Sequence, residues 1–359
     1  MDFRHLQPSR RLAERVRGTL RIVSGDAVWL SYHIGRRKPF LVFGYGISSV
    51  AKAAMAAAAS WPAVLGLRFA DRVGKGLRSP PRDALIADSV EPRYLGGAFG
   101  FHRGMDTLGG VLGPVVAFAV LAAWPGRYRR VFLLSAVPAV LSLAVLAIFV
   151  RAKRPAAAGP RRREAGAIGA PFKRFLVVQG VFGLASSSMA FALLRIRDAG
   201  FSPQHVPLVY AIYNAVYALL SLPAGMLSDR LGRRRLLLWA YLLFAGVYAL
   251  LAWRATPAVV VAAMAALGLH SALLEVAQRA MVADLAGEAR RGAAFGVYHA
   301  VMGLALLPAS VLAGTLWDRF GARAAFGAGA ALALLAAALF ATLLPVRREA
   351  EDRGRAVTP

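Results

Sequence analysis

Long apolar stretches recur along the chain and alternate with short polar turns. Two of them, 131–150 and 324–344, contain no charged residue. Because a helix needs about 20 apolar residues to cross a bilayer, the pattern predicts an all-α, polytopic membrane helix bundle. Ten candidate spans can be read from the sequence: 40–58, 61–78, 97–123, 128–150, 172–194, 205–228, 235–253, 257–285, 293–317 and 323–344.

The chain is strongly basic, with 44 lysines and arginines against 18 acidic residues and a formal net charge of +26. In a soluble protein this excess would favour a nucleic-acid partner, but a hydrophobic fraction of 58% excludes that class. The charge instead indicates topology, because lysine and arginine are retained on the cytoplasmic side during insertion. Basic clusters fall on alternate connections, so these loops and the C-terminus are predicted to be cytoplasmic: 35–38, 151–164, 229–235, 288–291 and 347–349.

An internal repeat divides the chain into two halves. Residues 84–100 align without a gap on 280–296 at an offset of 196, with seven of seventeen positions identical. A second match, 34–38 on 231–235, has an offset of 197. Parallel duplication of membrane helices is one way in which transporters are built. We therefore predict an N-terminal helical bundle in 1–150, a cytoplasmic linker in 151–171, a six-helix bundle in 172–346 and a cytoplasmic tail in 347–359.

The same offset predicts that the first half is incomplete. Segment 172–194 maps to positions before Met1, and segment 205–228 maps onto 8–31, which holds seven charged residues. Each charge near the middle of the bilayer costs about 2.5–3.5 kcal/mol on insertion scales. We therefore expect the first transmembrane helix to be absent and the second to be degraded, which leaves about 10–11 transmembrane helices. Either the start of the chain is assigned too late or the gene is truncated.

A loop motif, Gly-x-x-x-Asp-Arg-x-Gly-Arg-Arg, is complete in the second half, and a second block spans 72–114. On these residues the chain resembles the major facilitator superfamily, and more narrowly a poorly characterised bacterial branch of it. The resemblance implies two pseudo-symmetric halves in the bacterial cytoplasmic (inner) membrane and transport by alternating access. The motif residues are Gly225, Asp229, Arg230, Gly232, Arg233 and Arg234.

In the family, this loop locks the cytoplasmic ends of the helices together. The resemblance therefore implies that Asp229 sits against a neighbouring helix terminus and pairs with arginine, which suits a carboxylate. In the first half the motif is damaged, because Tyr32 and His33 stand where the aspartate and arginine would be. The alternative interpretation is that both loops are basic anchors without a gating role.

A charged stretch begins within the second candidate span, 61–78, and continues to Asp88. At 100° per residue Arg68, Asp71, Arg72 and Lys75 share one helix face, and Asp71 can pair with Arg68 or Lys75. Charges within a span face the bundle interior or a wet cavity, so these four are predicted to line the translocation path. Arg72 and Gly76 resemble the family element Arg-x-x-Gln-Gly, whose arginine is linked to proton coupling. The charges that follow, up to Asp88, are interpreted as the cytoplasmic mouth.

Further candidates lie on the next helix. His102 and Asp106 share a face with Gly109 and Gly113, and a His–Asp pair could carry protons. Gly109-x-x-x-Gly113-Pro114 resembles half of an antiporter element, which indicates efflux. The alternative role of these three residues is close helix packing through small side chains.

The second half offers two more candidates for the path. His270 and Glu275 lie on the helix equivalent to the fourth, and Glu275 is the acidic residue in its middle, so it is a candidate for protonation. Arg279 follows at i+4, where an ion pair would be partly structural. Gln179 and the serines at 186–188 are the polar positions on the first helix of this half.

These observations predict a secondary transporter that moves a small organic solute, with proton-coupled efflux as an antiporter. We expect a monomer in the lipid bilayer with no cofactor and no metal site, since ligands at a suitable spacing are missing. The sequence contains no phosphate loop, so ATP is not the expected energy source. The alternatives are a truncated, non-transporting relative and a membrane enzyme, for which no reactive grouping is found.

Overall fold

The computed structural model describes residues 37–58, 60–124, 128–149, 169–187, 189–202 and 205–344. Within these ranges the protein forms ten α-helices and no strand. They are α1 Arg37–Met55, α2 Trp61–Ser89, α3 Leu95–Ala123, α4 Tyr128–Phe149, α5 Ala170–Ala185, α6 Met189–Asp198, α7 Val206–Leu231, α8 Arg233–Trp253, α9 Pro257–Ala286 and α10 Arg291–Leu343. The predicted degraded helix, most of the linker and the tail lie outside the described residues.

Six helical segments of the described chain are long and apolar enough to cross a membrane. They are α4, the segment Ala170–Asp198 that comprises α5 and α6, and each helix from α7 to α10. α10 bends at Gly321, whose φ of 79° suits a glycine, so its two arms correspond to the two spans predicted from the sequence. The structure thus confirms the all-α membrane bundle.

In the first half, α1 packs on α2 and α4. The contact between α1 and α2 is close because two glycines face each other. A Cβ added to Gly74 would lie 2.7 Å from the carbonyl oxygen of Gly44 and equally near the hydroxyl of Ser48. Small residues of this kind let membrane helices approach backbone to backbone.

The second half is held together by buried aromatic rings between α5, α8 and α10. The ring of Phe182 packs against Tyr241 and Phe244, at centroid distances of 4.7 and 5.2 Å. Tyr241 also meets Phe340 edge to face at 5.7 Å. Such pairs add about 0.5–1.5 kcal/mol beyond the area that they bury.

The internal repeat has the same local structure in both copies. The 3₁₀ turn Pro92–Tyr94 joins α2 to α3, and the 3₁₀ turn Glu288–Arg290 joins α9 to α10. The two turns lie 196 residues apart in the sequence, and so do the first residues of the helices that follow them. At this end of the molecule α2 contacts α9 and α10, while α3 contacts α7 and α9, so the two halves touch. We call it the closed end.

Candidate functional site

A cavity of about 370 Å³ lies inside the second half, beside the closed end. The lining residues that the structure describes all fall between Phe182 and Met302. Five phenylalanine and tyrosine rings form much of the wall, namely Phe182, Tyr213, Phe244, Tyr248 and Tyr298. Serine hydroxyls, His270, Glu275 and Arg279 add polar groups. A concave, mainly apolar space with a few polar groups is the usual form of a small-molecule site.

Glu275 joins this cavity to the first half. Its Oε2 accepts a hydrogen bond of 2.8 Å from Nη1 of Arg279, one turn further along α9. Its Oε1 accepts a hydrogen bond of 2.6 Å from Nη2 of Arg103, which lies on α3. Arg103 also donates to Asp106 at 2.9 Å and to the hydroxyl of Tyr217. A carboxylate of the cavity wall is therefore bound by a guanidinium of the opposite half.

Asp83 forms the second ionic connection between the halves. Its side chain is fully buried at the end of α2 and accepts bonds from three cationic or imidazole groups. Arg82 donates at 3.0 Å, Arg279 at 3.2 Å and His299 on α10 lies at 2.9 Å. A buried carboxylate is costly unless it is paired and hydrogen-bonded, and here both oxygens have partners.

The loop motif of the second half makes a third connection. The backbone N–H groups of Gly96 and Gly97 donate to the two oxygens of Asp229 at 2.8 and 2.7 Å. Nη1 of Arg233 lies 2.6 Å from the same carboxylate and Nη2 donates to the carbonyl of Pro92 at 2.9 Å. These N–H groups begin α3, where the helix dipole favours an anion. The carboxylate thus joins α7 to the first turn of α3.

Gly225 of the same motif has a packing role. A Cβ at Gly225 would overlap the carbonyl oxygen of Gly96, and a Cβ at Gly96 would overlap that of Gly225. The two helices therefore cross with backbone against backbone, which brings Asp229 within reach of the N-terminus of α3.

The remaining motif residues end and anchor the same loop. Gly232 has a φ of 90° and separates α7 from α8. Arg234 donates to the carbonyl of Ala341 at 2.9 Å, and the side chain of Arg230 is exposed.

The four charges predicted on one face of α2 lie in different environments. Asp71 is buried against α1, where the hydroxyl of Ser48 donates to its carbonyl at 3.4 Å, and Lys75 pairs with its carboxylate at 3.4 Å. The close approach of α1 covers that side of α2, and the path role of Asp71 stays a prediction. Arg68 and Arg72 are exposed. Arg72 precedes Asp83 by three turns of helix, so both lie on the side of α2 that meets the second half.

The predicted pair of His102 and Asp106 does not form. Asp106 accepts from Arg103 instead, and no hydrogen bond joins the two side chains in the described part of α3. A guanidinium three residues away provides a stronger, charge-assisted partner than a neutral imidazole. His270 is buried between the rings of Phe182 and Phe244, with Nδ1 2.8 Å from the carbonyl of Ala240.

Close packing at the glycines of α3 stays a prediction. A Cβ at Gly109 or Gly113 would meet no atom of the described residues within 4 Å. Among the described residues, α7 contacts α3 at Gly96 and Gly100 instead. The side-chain surroundings of Pro114 lie outside what the structure describes.

Two residues that the sequence analysis did not single out complete the ionic connections. Arg103 and His299 stand 196 residues apart, at equivalent positions of the repeat, and each binds a carboxylate of the other half. Extending the repeat alignment by three residues beyond Gly100 would have paired them.

A buried polar chain also escaped prediction. Gln278 donates to Gln179, which donates to the hydroxyl of Tyr241 at 2.8 Å, and the hydroxyl of Tyr298 donates to Gln278 at 2.8 Å.

Comparison with known proteins identifies the family. The sequence model of the Major Facilitator Superfamily matches residues 27–194 and 175–359. The chain belongs to this superfamily. Its members are transporters rather than enzymes, so the protein is a multi-pass membrane transporter.

Three proteins illustrate the similarity. An uncharacterized MFS-type transporter of Methanocaldococcus jannaschii is 32% identical over 314 residues, which cover 85% of this chain and 78% of that protein. Multidrug resistance protein MdtH of Enterobacter sp. is 30% identical over 169 residues, or 45% of this chain and 40% of that protein. The crystal structure of a double tryptophan mutant of XylE superposes with a TM-score of 0.76 at 18% identity, covering 98% and 91% of the two chains.

Proposed function

We propose that this transporter exports a small organic solute from the cytoplasm in exchange for protons, as a monomer that works by alternating access. The proposal rests on two simultaneous contacts of Glu275. Its carboxylate faces the cavity and at the same time binds Arg103 of the other half. The positive-inside pattern assigns the closed end to the cytoplasm, so this contact keeps the cavity closed on that side.

Protonation of Glu275 would weaken the closed arrangement. A neutral carboxyl group loses the charge that holds Arg103 and Arg279, and charge-assisted bonds are roughly twice as strong as neutral ones. The proton therefore binds better to the state in which the halves have separated at the closed end, and it shifts the population towards that state. A proton taken up from outside would open the site to the cytoplasm, where a solute could replace it.

The similarity to a multidrug resistance protein covers less than half of this chain but favours the same direction of transport. Arg72 adds a positive charge to the side of α2 that meets the second half. We propose that it lines the path between the halves with Arg68 and Lys75. The loop lock at Asp229 would open and close in the same cycle.

The test is a proton-flux assay in proteoliposomes with a trapped pH-sensitive dye. A panel of organic amines, carboxylates and sugars is added to the wild-type protein and to Glu275→Gln. We expect at least one solute to drive proton movement in the wild type, and the variant to lose proton movement while it still exchanges solute for solute. Asp318→Asn, an exposed carboxylate on α10, is the matched control and should behave as wild type.

Two results would contradict the proposal. Full proton movement by Glu275→Gln would exclude this carboxylate as the coupling group. No movement of any solute by the wild type would favour the alternative of a non-transporting relative.

A further inference from the structure

The charges around the cavity are all paired, but they differ in exposure. Arg279 is bound by both Glu275 and Asp83, and its side chain is 11% exposed. Arg103 is bound by Glu275, Asp106 and Tyr217. The side chain of Glu275 is 27% exposed and lines the cavity, whereas that of Arg103 is 22% exposed. The charge that a solute can reach most easily is therefore negative.

The neutral polar groups of the wall point to the same preference. The carbonyl of Ala240 can only accept, so Nδ1 of His270 donates to it, which leaves Nε2 of a neutral ring as an acceptor. The hydroxyls of Tyr213 and Ser271 lie 3.1 Å apart and share one hydrogen bond. The ring nitrogen Nε2 of His270 thus offers an acceptor to a solute that donates hydrogen bonds.

Aromatic rings supply the remaining surface. Phe244 and Tyr248 stack with centroids 3.9 Å apart, and Phe182 packs beside Phe244 at 5.2 Å. The faces of such rings attract cations through their quadrupole, and their area binds an apolar body. A volume of about 370 Å³ accommodates a molecule the size of an aryl-alkyl amine.

We infer that the cavity takes an organic cation, an ammonium with an aromatic or branched hydrocarbon body, whose charged nitrogen binds Glu275 in competition with Arg103. The inference rests on the transport function proposed above and names its substrate class.

Competition for one carboxylate links recognition to gating. Arg103 belongs to the first half and the cavity wall to the second. An ammonium bound to Glu275 therefore excludes the contact of Glu275 with Arg103 that holds the closed end together. When the closed end reforms, Arg103 displaces the cation, which leaves on the opposite side. When Glu275 binds neither a cation nor a proton, Arg103 keeps that end closed. The transporter then cannot change state empty, so protons do not cross the membrane without solute moving in exchange.

The test compares three probes with one hydrocarbon body: 4-phenylbutylammonium, 4-phenylbutyrate and 4-phenylbutan-1-ol. Binding to the full-length protein in lipid nanodiscs is measured by calorimetry. We expect the ammonium to bind about tenfold more tightly than the other two, because one charge-assisted hydrogen bond separates them. Glu275→Gln should remove this preference, while Asp318→Asn should keep it.

The variant Arg103→Gln distinguishes competition for Glu275 from a purely structural role of Arg103. Removing the competitor should tighten binding of the ammonium several-fold, whereas damage to the fold would weaken it. The glutamine can still bond to Tyr217, and this variant decides the case if Glu275→Gln does not yield a monodisperse protein.

Three results would overturn the inference: no binding of the ammonium, equal or tighter binding of the carboxylate or alcohol, or weaker ammonium binding by Arg103→Gln. Failure of the proposed function has a different signature. In that case the ammonium would bind with the expected preference, but no proton-linked flux would occur in proteoliposomes.

Discussion

Asp83 and Arg279 occupy equivalent positions of the internal repeat, 196 residues apart, and their side chains form an ion pair with Nε 3.2 Å from Oδ2. Phe99 and Phe295 have the same offset, and their rings pack at 6.0 Å. Equivalent positions can touch only where the symmetry axis passes between them. The pseudo-two-fold axis therefore runs through the closed end, between the ionic connection and the aromatic pair.

The first prediction concerns this ion pair. Asp83→Asn leaves Arg82 and Arg279 near the axis without their buried carboxylate, and removal of one partner of a buried pair costs about 3–5 kcal/mol. We expect the closed end to open in a larger fraction of molecules. The chain has no cysteine, so spin labels can be placed at Ser89→Cys and Glu288→Cys, and the distance distribution should shift to longer values.

Glu91→Gln is the control for Asp83→Asn. It removes an exposed ion pair with Arg93, and such surface pairs contribute about 0–1 kcal/mol. Its distance distribution should match that of the labelled parent protein. An unchanged distribution for Asp83→Asn would show that the pair does not hold the halves together.

The second prediction compares two adjacent glycines. Gly96→Ala places a methyl group on the carbonyl oxygen of Gly225, whereas a Cβ at Gly97 would lie 3.5 Å from Asp229, an ordinary contact. Overpacking of this kind costs about 1–3 kcal/mol, so Gly96→Ala should slow solute exchange in proteoliposomes about fivefold or more. Gly97→Ala should retain most of the activity. Equal rates for the two variants would argue that α3 and α7 do not close against each other during transport.

The third prediction concerns the carboxylate at the start of α3. Asp229→Asn keeps one acceptor but turns an NH₂ group towards a backbone N–H, and it loses the ion pair with Arg233. The loss amounts to about 1–3 kcal/mol of closed-state stability. Turnover should fall more than in Arg230→Gln, whose side chain is exposed, and more than in Tyr32→Phe. Identical turnover in Asp229→Asn and Arg230→Gln would rule out a lock at this loop.

The fourth prediction concerns Arg72. Its side chain is exposed, and surface substitutions usually change stability by within about 0.5 kcal/mol, so Arg72→Ala should be expressed at the wild-type level. We expect it to abolish transport in vesicles, while Arg72→Lys keeps the charge and retains part of the activity. Wild-type transport by Arg72→Ala would remove this residue from the path.

Sequence patterns were sufficient for the elements and their duplication. Apolar periodicity predicted the helices, including the two spans that Gly321 separates within α10, and the repeat predicted matching turns at Pro92–Tyr94 and Glu288–Arg290. The loop motif indicated that Asp229 would meet a helix terminus, and the structure identifies that terminus as the start of α3.

The ionic connections could not be predicted in the same way. A helical wheel shows which residues share a face but not how that face is turned towards its neighbours, which packing decides. The wheel put Asp71 on the same face as Arg72, but it could not show that the close contact of Gly44 with Gly74 buries Asp71 against α1. Arg103 was overlooked because its partner Glu275 lies 172 residues away, in the other half.

The buried chain of Tyr241, Gln179, Gln278 and Tyr298 ties together four helices that surround the cavity. Breaking this hydrogen-bonded chain would leave buried amide groups without partners. The four helices should therefore rotate as one unit during transport and preserve the shape of the cavity. The second half alone would then determine which solute binds. The rate of the transport cycle would instead depend on the contacts that the first half makes with it. Natural variation could change either property with little effect on the other.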